Sequence, residues 1–500
     1  MTAPWTCPFC PLRCDDLVRD APVRDDVVRD ALVRDDLVRD DLVRDDVVRG
    51  AECPKRDRHL GDLAGGTLLG PLVAGRPASW AEALQAAARR LGDSAEVQVD
   101  GFAGDLQTAR AAVATAAALA ATLRLDSTAT LSAVAAATAR DGVTAATLAD
   151  VRMHADRVLI LGDPHAQAPR LAERFLTGIP QQILHFRPAV QGPAPPDAAA
   201  PAPGSSAAHA ASDGAPLDVD IAPLPWLRSL LWRLSQQPET GAAEDKRGSP
   251  AAETWNGADH TATVEAIAGF LESGRMRAVI VMPGAFDAWA GAGAGQSELG
   301  EVGMGEVGTW LLRVIERLND RGRGVLVSLD PAAAARQSQL WLTGFSGPLS
   351  FAARPVEPLL VGRGEPGADE ADRSPEAARP VRVRLQPSWA ASSASSASGP
   401  DGRPIGLESA ERTNPTPAAP DSLVLLGDAA TPPAVAHRAA VFLPVRWPGV
   451  DASGTTVRGD STVTLPLGPL VDRQREGPAG EFTAAEALQR LAGQAVAAEP

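Results

Sequence analysis

The residues best suited to chemistry in this chain are its only four cysteines, Cys7, Cys10, Cys14 and Cys53, set in C-P-F-C-P-L-R-C-D-D and, after a long gap, E-C-P-K-R. Thiolates two and three residues apart can converge on one inorganic centre from a single loop, with a fourth arriving from elsewhere, as iron–sulfur clusters require. Structural zinc sites more often pair two short C-x2–4-C knuckles, and here the second half offers one cysteine with His59 nearby. A motif that binds nothing is the third reading. A [4Fe–4S] cluster on the four cysteines is the expectation carried forward. Lys55 and Arg56 directly follow the fourth cysteine. Cations there could offset cluster charge or relay electrons outward, and two solvated side chains are the plain alternative.

Between the third and fourth cysteines a repeat fills Asp16 to Gly50: DLVRD, APVRD, DVVRD, ALVRD, DLVRD, DLVRD and DVVRG. A period of five suits no regular element. On a helix it rotates its apolar pair by about 140° per unit, and on a strand it flips faces each time. A pentapeptide solenoid wants a small residue two before the central Leu, where Asp dominates, and Asp-rich cation binding is a further alternative. Expansion of a short hairpin loop accounts for the segment most simply. Growth from about 10 to about 40 residues adds only roughly 1.2 kcal/mol of closure entropy, so the insertion does not prevent the cysteines from meeting.

Five hundred residues at 45% hydrophobic content are too many for one core and enough to bury several. A formal charge of -15 offers no concentrated basic face for nucleic acid. No apolar run reaches membrane-spanning length and no signal-like segment opens the chain, so a soluble, cytoplasmic protein without membrane contact is expected. Four cysteines at one end make a poor disulfide framework, and a reducing compartment leaves them free as ligands.

The elements that must position these residues are of α/β type. WAEALQAAARRLG reads as an amphipathic helix, EVQVDGF as a strand and LQTARAAVATAAALAATLR as an alanine-rich helix. RVLIL is a buried strand, followed by a Gly162-Asp163-Pro164 turn, a helix and the strand QQILHF. Because parallel sheets bind ligands at the carboxyl ends of their strands, Gly162, Asp163, His165 and Arg170 are candidate contacts for a nucleotide-like or pterin group. Ordinary turn chemistry is the alternative. From His260 the pattern resumes with VEAIAGFLESG, RAVIVMPG, VGTWLLRVIERLND and GVLVSLD. The chain closes with SLVLLGD, AVFLPVR and a turn-rich β segment, WPGVDASGTTVRGDSTVTLPL. The expected layout is a Cys-motif region over 1–65 with the repeat at 16–50, then a first α/β domain over 66–190. A low-complexity linker with a short helix covers 191–259, a second α/β domain 260–361, a polar insertion 362–420 and a C-terminal α/β segment 421–500.

Together CPFCPLRCDDL with ECPK, RVLILGDPHAQAPR, QLWLTGFSGPLSFAARP and PGVDASGTTVRGDSTVTLPL resemble the B subunit of the formylmethanofuran dehydrogenase family, most of all that of the bacterial formyltransferase/hydrolase complex. The resemblance implies a trimmed molybdopterin-oxidoreductase-like architecture: parallel-sheet domains, a small cluster-bearing N-terminal region, and a last pterin-binding domain on a separate subunit. In dehydrogenase members it further implies a pterin-bound tungsten or molybdenum ligated by a cysteine, with a histidine after it, downstream of the alanine-rich helix. This chain reads LRLDSTATLSAV there, has no cysteine after Cys53 and no histidine between His59 and His154. Ser127, Thr128, Thr130 and Ser132 are the only hydroxyls on offer, and hydroxyls at a helix start are usually caps. The expectation is therefore a non-catalytic or scaffold subunit, without pterin-bound metal or an active centre of its own, among the other subunits of a formyltransferase/hydrolase complex. Its setting would be tetrahydromethanopterin- and methanofuran-linked one-carbon metabolism, from formaldehyde to formate. A redox-active dehydrogenase subunit and a zinc-stabilised interaction protein are the alternatives.

Overall fold

The computed structural model describes residues 2–20, 48–65, 69–101, 104–125, 128–177, 182–188, 217–219, 223–236, 260–287, 300–345, 349–351, 357–358, 381–385, 423–428, 431–470 and 481–497. Most of the repeat and most of the two low-complexity tracts lie outside these residues. The chain folds into two compact α/β units that interleave in sequence: the first takes Met1–Ser127, His165–Arg170 and Asp330–Pro500, the second Thr128–Pro164 and Leu171–Leu329. Composition marks linkers but not where a chain leaves one core for another, so the boundaries expected from sequence differ from these.

In the first unit a nine-stranded sheet runs Glu357–Pro358, Leu349–Ser350, Thr122–Arg124, Val97–Asp100, Val381–Leu385, Leu423–Gly427, Val441–Pro444, Leu72–Val73, Arg76–Pro77. Its five central strands are parallel. Strand order reverses between Val97–Asp100 and Val381–Leu385, where Gly101 adopts a φ of +78 and a Cβ would stand 2.5 Å from the Leu385 carbonyl oxygen. Only glycine lets the two strand ends approach this closely. Trp80–Gly92 begins with a capping box, in which Ser79 and Glu82 satisfy each other's backbone N–H. Leu106–Ala118 is capped by Asp105, whose carboxylate accepts from the Thr108 N–H at 2.9 Å. The segment Gly454–Val457 pairs antiparallel with Thr464–Leu467, the β content expected of the terminal stretch.

The second unit carries an all-parallel five-stranded sheet: Leu217–Val219, Gln182–Pro188, Arg157–Leu161, Met276–Val281, Arg323–Ser328. Every residue of Met276–Val281 is buried, as a strand covered on both faces by helices requires. One helix of that cover comes from the tract read as linker. Pro223–Ser235 places Trp226, Leu227, Leu230 and Leu234 in the core, and the Trp226 indole stacks on Phe186 at 4.4 Å between ring centroids. No helix among the described residues is long and apolar enough to cross a membrane.

Candidate metal centre

The cysteine loop is built by a small antiparallel sheet in the first unit. Thr2–Trp5 pairs with Leu17–Asp20, and Leu17–Asp20 with Val48–Arg49. The first repeat unit thus meets the last as the stem of a hairpin, and this pairing returns the chain to the loop so that Cys53 can join the other three. The loop is closed at its base by the Cys7 N–H donating to the Cys14 carbonyl (2.8 Å), and tightened by the Arg13 N–H on the Cys10 carbonyl (3.2 Å). Arg13 sits at a φ of +46, a left-handed conformation that costs a non-glycine residue on the order of 1–3 kcal/mol at such sites. Cys53 caps the helix Pro54–Gly65, its carbonyl accepting from the Asp57 N–H at 3.0 Å with Pro54 at the first helical position.

The C-terminal stretch covers the loop. The Trp5 indole N–H donates to the Gly449 carbonyl (3.0 Å) and the Gly459 N–H to the Pro11 carbonyl (2.7 Å). A Cβ on Gly459 would lie 2.6 Å from the Pro11 Cβ, so this contact requires glycine. All four cysteines are buried and none forms a disulfide. Burial pushes the Cys7 thiol up to about 12, with Cys14 and Cys53 adding to the rise, and burial raises Cys53 too. Cys10 is lowered, chiefly by its hydrogen bond with Cys14 and against the effect of burial.

Two cations face these thiols. Lys55 is lowered by burial, opposed by its attraction to Cys10, Cys7 and Cys53, and its ammonium donates to the Gln167 carbonyl at 3.4 Å. Arg13 is the second, and no sequence signal marked it. Its guanidinium is 4% exposed, donates to the carbonyls of Pro8 and Pro331, and is lowered by burial against the pull of Cys10, Cys7 and Asp330. Among the described residues its Nε–H has no hydrogen-bond partner. Arg56 is instead held by Asp57 at 2.6 Å and by the Ala51 carbonyl at 3.2 Å. His59 packs its ring on Phe9 at 5.2 Å, and burial first, then Lys55 and Arg58, lower it to about 3, so it is neutral despite Asp62 at 3.8 Å.

Among the described residues no three His, Cys, Asp or Glu side chains are arranged to hold one metal ion. A single zinc with Zn–S near 2.3 Å would draw its sulfurs to within roughly 3.8 Å of one another. An iron–sulfur cluster spreads its thiolates over several irons and needs no such convergence. In its chemistry the donor set fits a cluster better than one ion: four buried thiols, two cations that favour sulfur anions, and a spare buried N–H.

The four residues expected at one strand end are divided between the units. Arg170, 3% exposed, makes a bidentate pair with Asp16 at 2.9 and 2.5 Å, bracing the cysteine motif, and His165 is exposed in the same unit. Gly162 and Asp163 belong to the second unit, where strand order reverses between Arg157–Leu161 and Met276–Val281. The space beside Gly162 is filled by the chain itself: a Cβ there would meet the Cβ atoms of Met282 at 2.9 Å and Ala285 at 3.1 Å.

The start of helix Ala129–Asp141, where the resemblance implies a metal-binding cysteine in dehydrogenases, is likewise closed. Thr128 is the N-cap, accepting from the Leu131 N–H. Asp287 accepts from the Thr130 N–H (2.9 Å) and hydroxyl (2.8 Å), while the same hydroxyl accepts from the Phe286 N–H (2.8 Å). A carboxylate thus occupies the positive end of this helix. Ser127 lies outside the described residues.

These features define an α/β protein with interleaved parallel-sheet units and a buried four-thiol pocket. No family model matches the chain, and no curated protein matches it. Among solved structures, its fold is similar to that of a chain in the X-ray crystal structure of the formyltransferase/hydrolase complex (FhcABCD) from Methylorubrum extorquens in complex with methylofuran. The likeness has a TM-score of 0.52 at 19% sequence identity, covering 85% of this chain and 99% of that one.

Proposed function

We propose that this chain is a non-catalytic subunit of a formyltransferase/hydrolase-type complex in methanofuran- and tetrahydromethanopterin-linked one-carbon metabolism, in the place of the B subunit. The observation that carries the reading is the helix start at Thr128–Thr130. A fold shared across nearly the whole of a complex subunit has, where a redox metal would need its cysteine, two threonines and a half-buried aspartate. Support also comes from the absence of any cysteine after Cys53. The four cysteines would hold a [4Fe–4S] cluster whose chemistry, when bound, is one-electron storage. In this chain the role of the pocket is to fasten the N-terminal hairpin beneath the C-terminal loop, with Arg13 and Lys55 offsetting negative charge.

The test is a division of labour. Purified from its native host, the full assembly should transfer formyl groups and release formate, while the isolated chain should do neither. Formate formation by the isolated chain would overturn the reading.

A further inference from the structure

The cysteine pocket holds one donor that the fold around it does not answer. Arg13 stands directly before Cys14 in a left-handed turn, at a φ of +46, and is 4% exposed. One terminal nitrogen of its guanidinium donates to the Pro8 carbonyl and the other to the Pro331 carbonyl at 3.2 Å, so the planar group is fixed from two sides. The remaining donor, the Nε–H, is buried and meets no acceptor among the described residues. A buried charged donor left unpaired is costly, so it marks a place where an acceptor has still to arrive.

Sulfur is the acceptor that the surroundings favour. The anions that attract this guanidinium are Cys10 and Cys7, followed by Asp330. Asp330 is already engaged, its carboxylate accepting from the Arg336 Nε–H at 2.7 Å and from the Ala332 N–H at 2.9 Å. The cations that follow Cys53 are differently placed. Arg56 is taken up by Asp57 and the Ala51 carbonyl, and Lys55, a point charge without a planar fork, donates to the Gln167 carbonyl at 3.4 Å. A cluster on thiolates is negatively charged, and adding one electron without a proton or any change of bonds adds one negative charge. A fixed cation that also donates to its sulfurs therefore favours the reduced form.

We infer that the Arg13 Nε–H donates a hydrogen bond to a sulfur of the bound cluster and thereby raises the cluster's reduction potential. The inference rests on the cluster reading under the proposed function, and adds to the residues that hold the group one that sets its properties. The test uses the full chain, affinity-tagged and purified anaerobically from its native host grown on arginine enriched in nitrogen-15 at the side chain only. Dithionite supplies the electron. The reduced cluster is then read by pulsed electron paramagnetic resonance, and its potential by spectroscopic redox titration.

The expected signature is a nitrogen-15 coupling on the reduced cluster that disappears in Arg13→Lys. Arg13→Gln, which removes both charge and donor, should lower the ratio of reduced to oxidised cluster at a fixed potential at least about tenfold, equivalent to about 59 mV for one electron. Arg13→Lys keeps the charge and should lower it less. Arg58→Gln, which removes an exposed charge on helix Pro54–Gly65, should leave it unchanged. No coupling in the unsubstituted protein would overturn the inference, as would a coupling that persists in Arg13→Lys or a potential unchanged in both Arg13 variants. If Arg13→Gln takes up no cluster, the coupling and its response to Arg13→Lys decide. An unsubstituted chain that carries zinc or no metal in the pocket would overturn the cluster reading itself, and the inference with it.

Discussion

Arg13 shows how much of the cysteine pocket depends on one residue. It is held in a left-handed turn between two cysteines, donates to carbonyls on both Pro8 and the distant Pro331, and presents positive charge to Cys7 and Cys10. Arg13→Met keeps the bulk and removes the charge and the donors, so it should cost about 3 kcal/mol in chemical denaturation of the full chain, with Arg13→Lys recovering part. An unchanged midpoint would mean that the guanidinium does not tie the loop down. The sequence could not show this residue's role, because it depends on a backbone angle and on a carbonyl from the far end of the chain. The cysteines themselves were legible because their spacing is local and their chemistry narrow.

Asp287 is the second test at this scale. Burial raises its carboxyl above the ordinary 3.8, against hydrogen bonds from Thr130 and Ala129 that pull it down. The folded protein therefore binds this proton more tightly than the unfolded chain. The favourable contribution is complete below 3.8 and is lost as pH rises through the folded value. Asp287→Asn keeps an acceptor for Thr130 without the charge. It should remove this group's part of the pH dependence above 3.8, and at neutral pH be at least as stable as the parent in thermal melts. A large loss of stability at neutral pH would show that the charge itself holds the helix start.

At the scale of elements, two joints are decisive. Gly308, in helix Gly300–Asn319, packs so tightly on helix Ala129–Asp141 that a Cβ would stand 2.2 Å from the Ala133 carbonyl oxygen. Gly308→Ala must push the two helices apart and should cost at least about 2 kcal/mol, read as a lowered urea midpoint. The second joint is the hairpin stem Leu17–Asp20 with Val48–Arg49. Replacing residues 21–46 with a two-residue Asn-Gly turn should leave the melting temperature and the assembly unchanged, since the described contacts of the cysteine loop lie outside that stretch. Loss of assembly would give the repeat a role beyond an expanded loop.

Elements with strong local patterns were readable from the sequence. Trp80–Gly92 and Arg157–Leu161 coincide with the segments expected, because amphipathic period and buried β-branched runs are set by neighbours in the chain. A short helix was readable within 191–259, but not its place in a core, because the partners of Pro223–Ser235, Phe186 and the helix His260–Glu272, are distant in sequence.

For the whole molecule, the two units interleave along the chain: it leaves the first unit for the second and comes back, and a short piece, His165–Arg170, returns early to the first to pair Arg170 with Asp16. On the proposed reading the four cysteines hold an iron–sulfur cluster and no pterin-bound metal is present. Metal content of the intact, anaerobically purified assembly tests it most directly. The account predicts about four irons per copy of this chain and only trace tungsten or molybdenum. One tungsten or molybdenum per copy would contradict it.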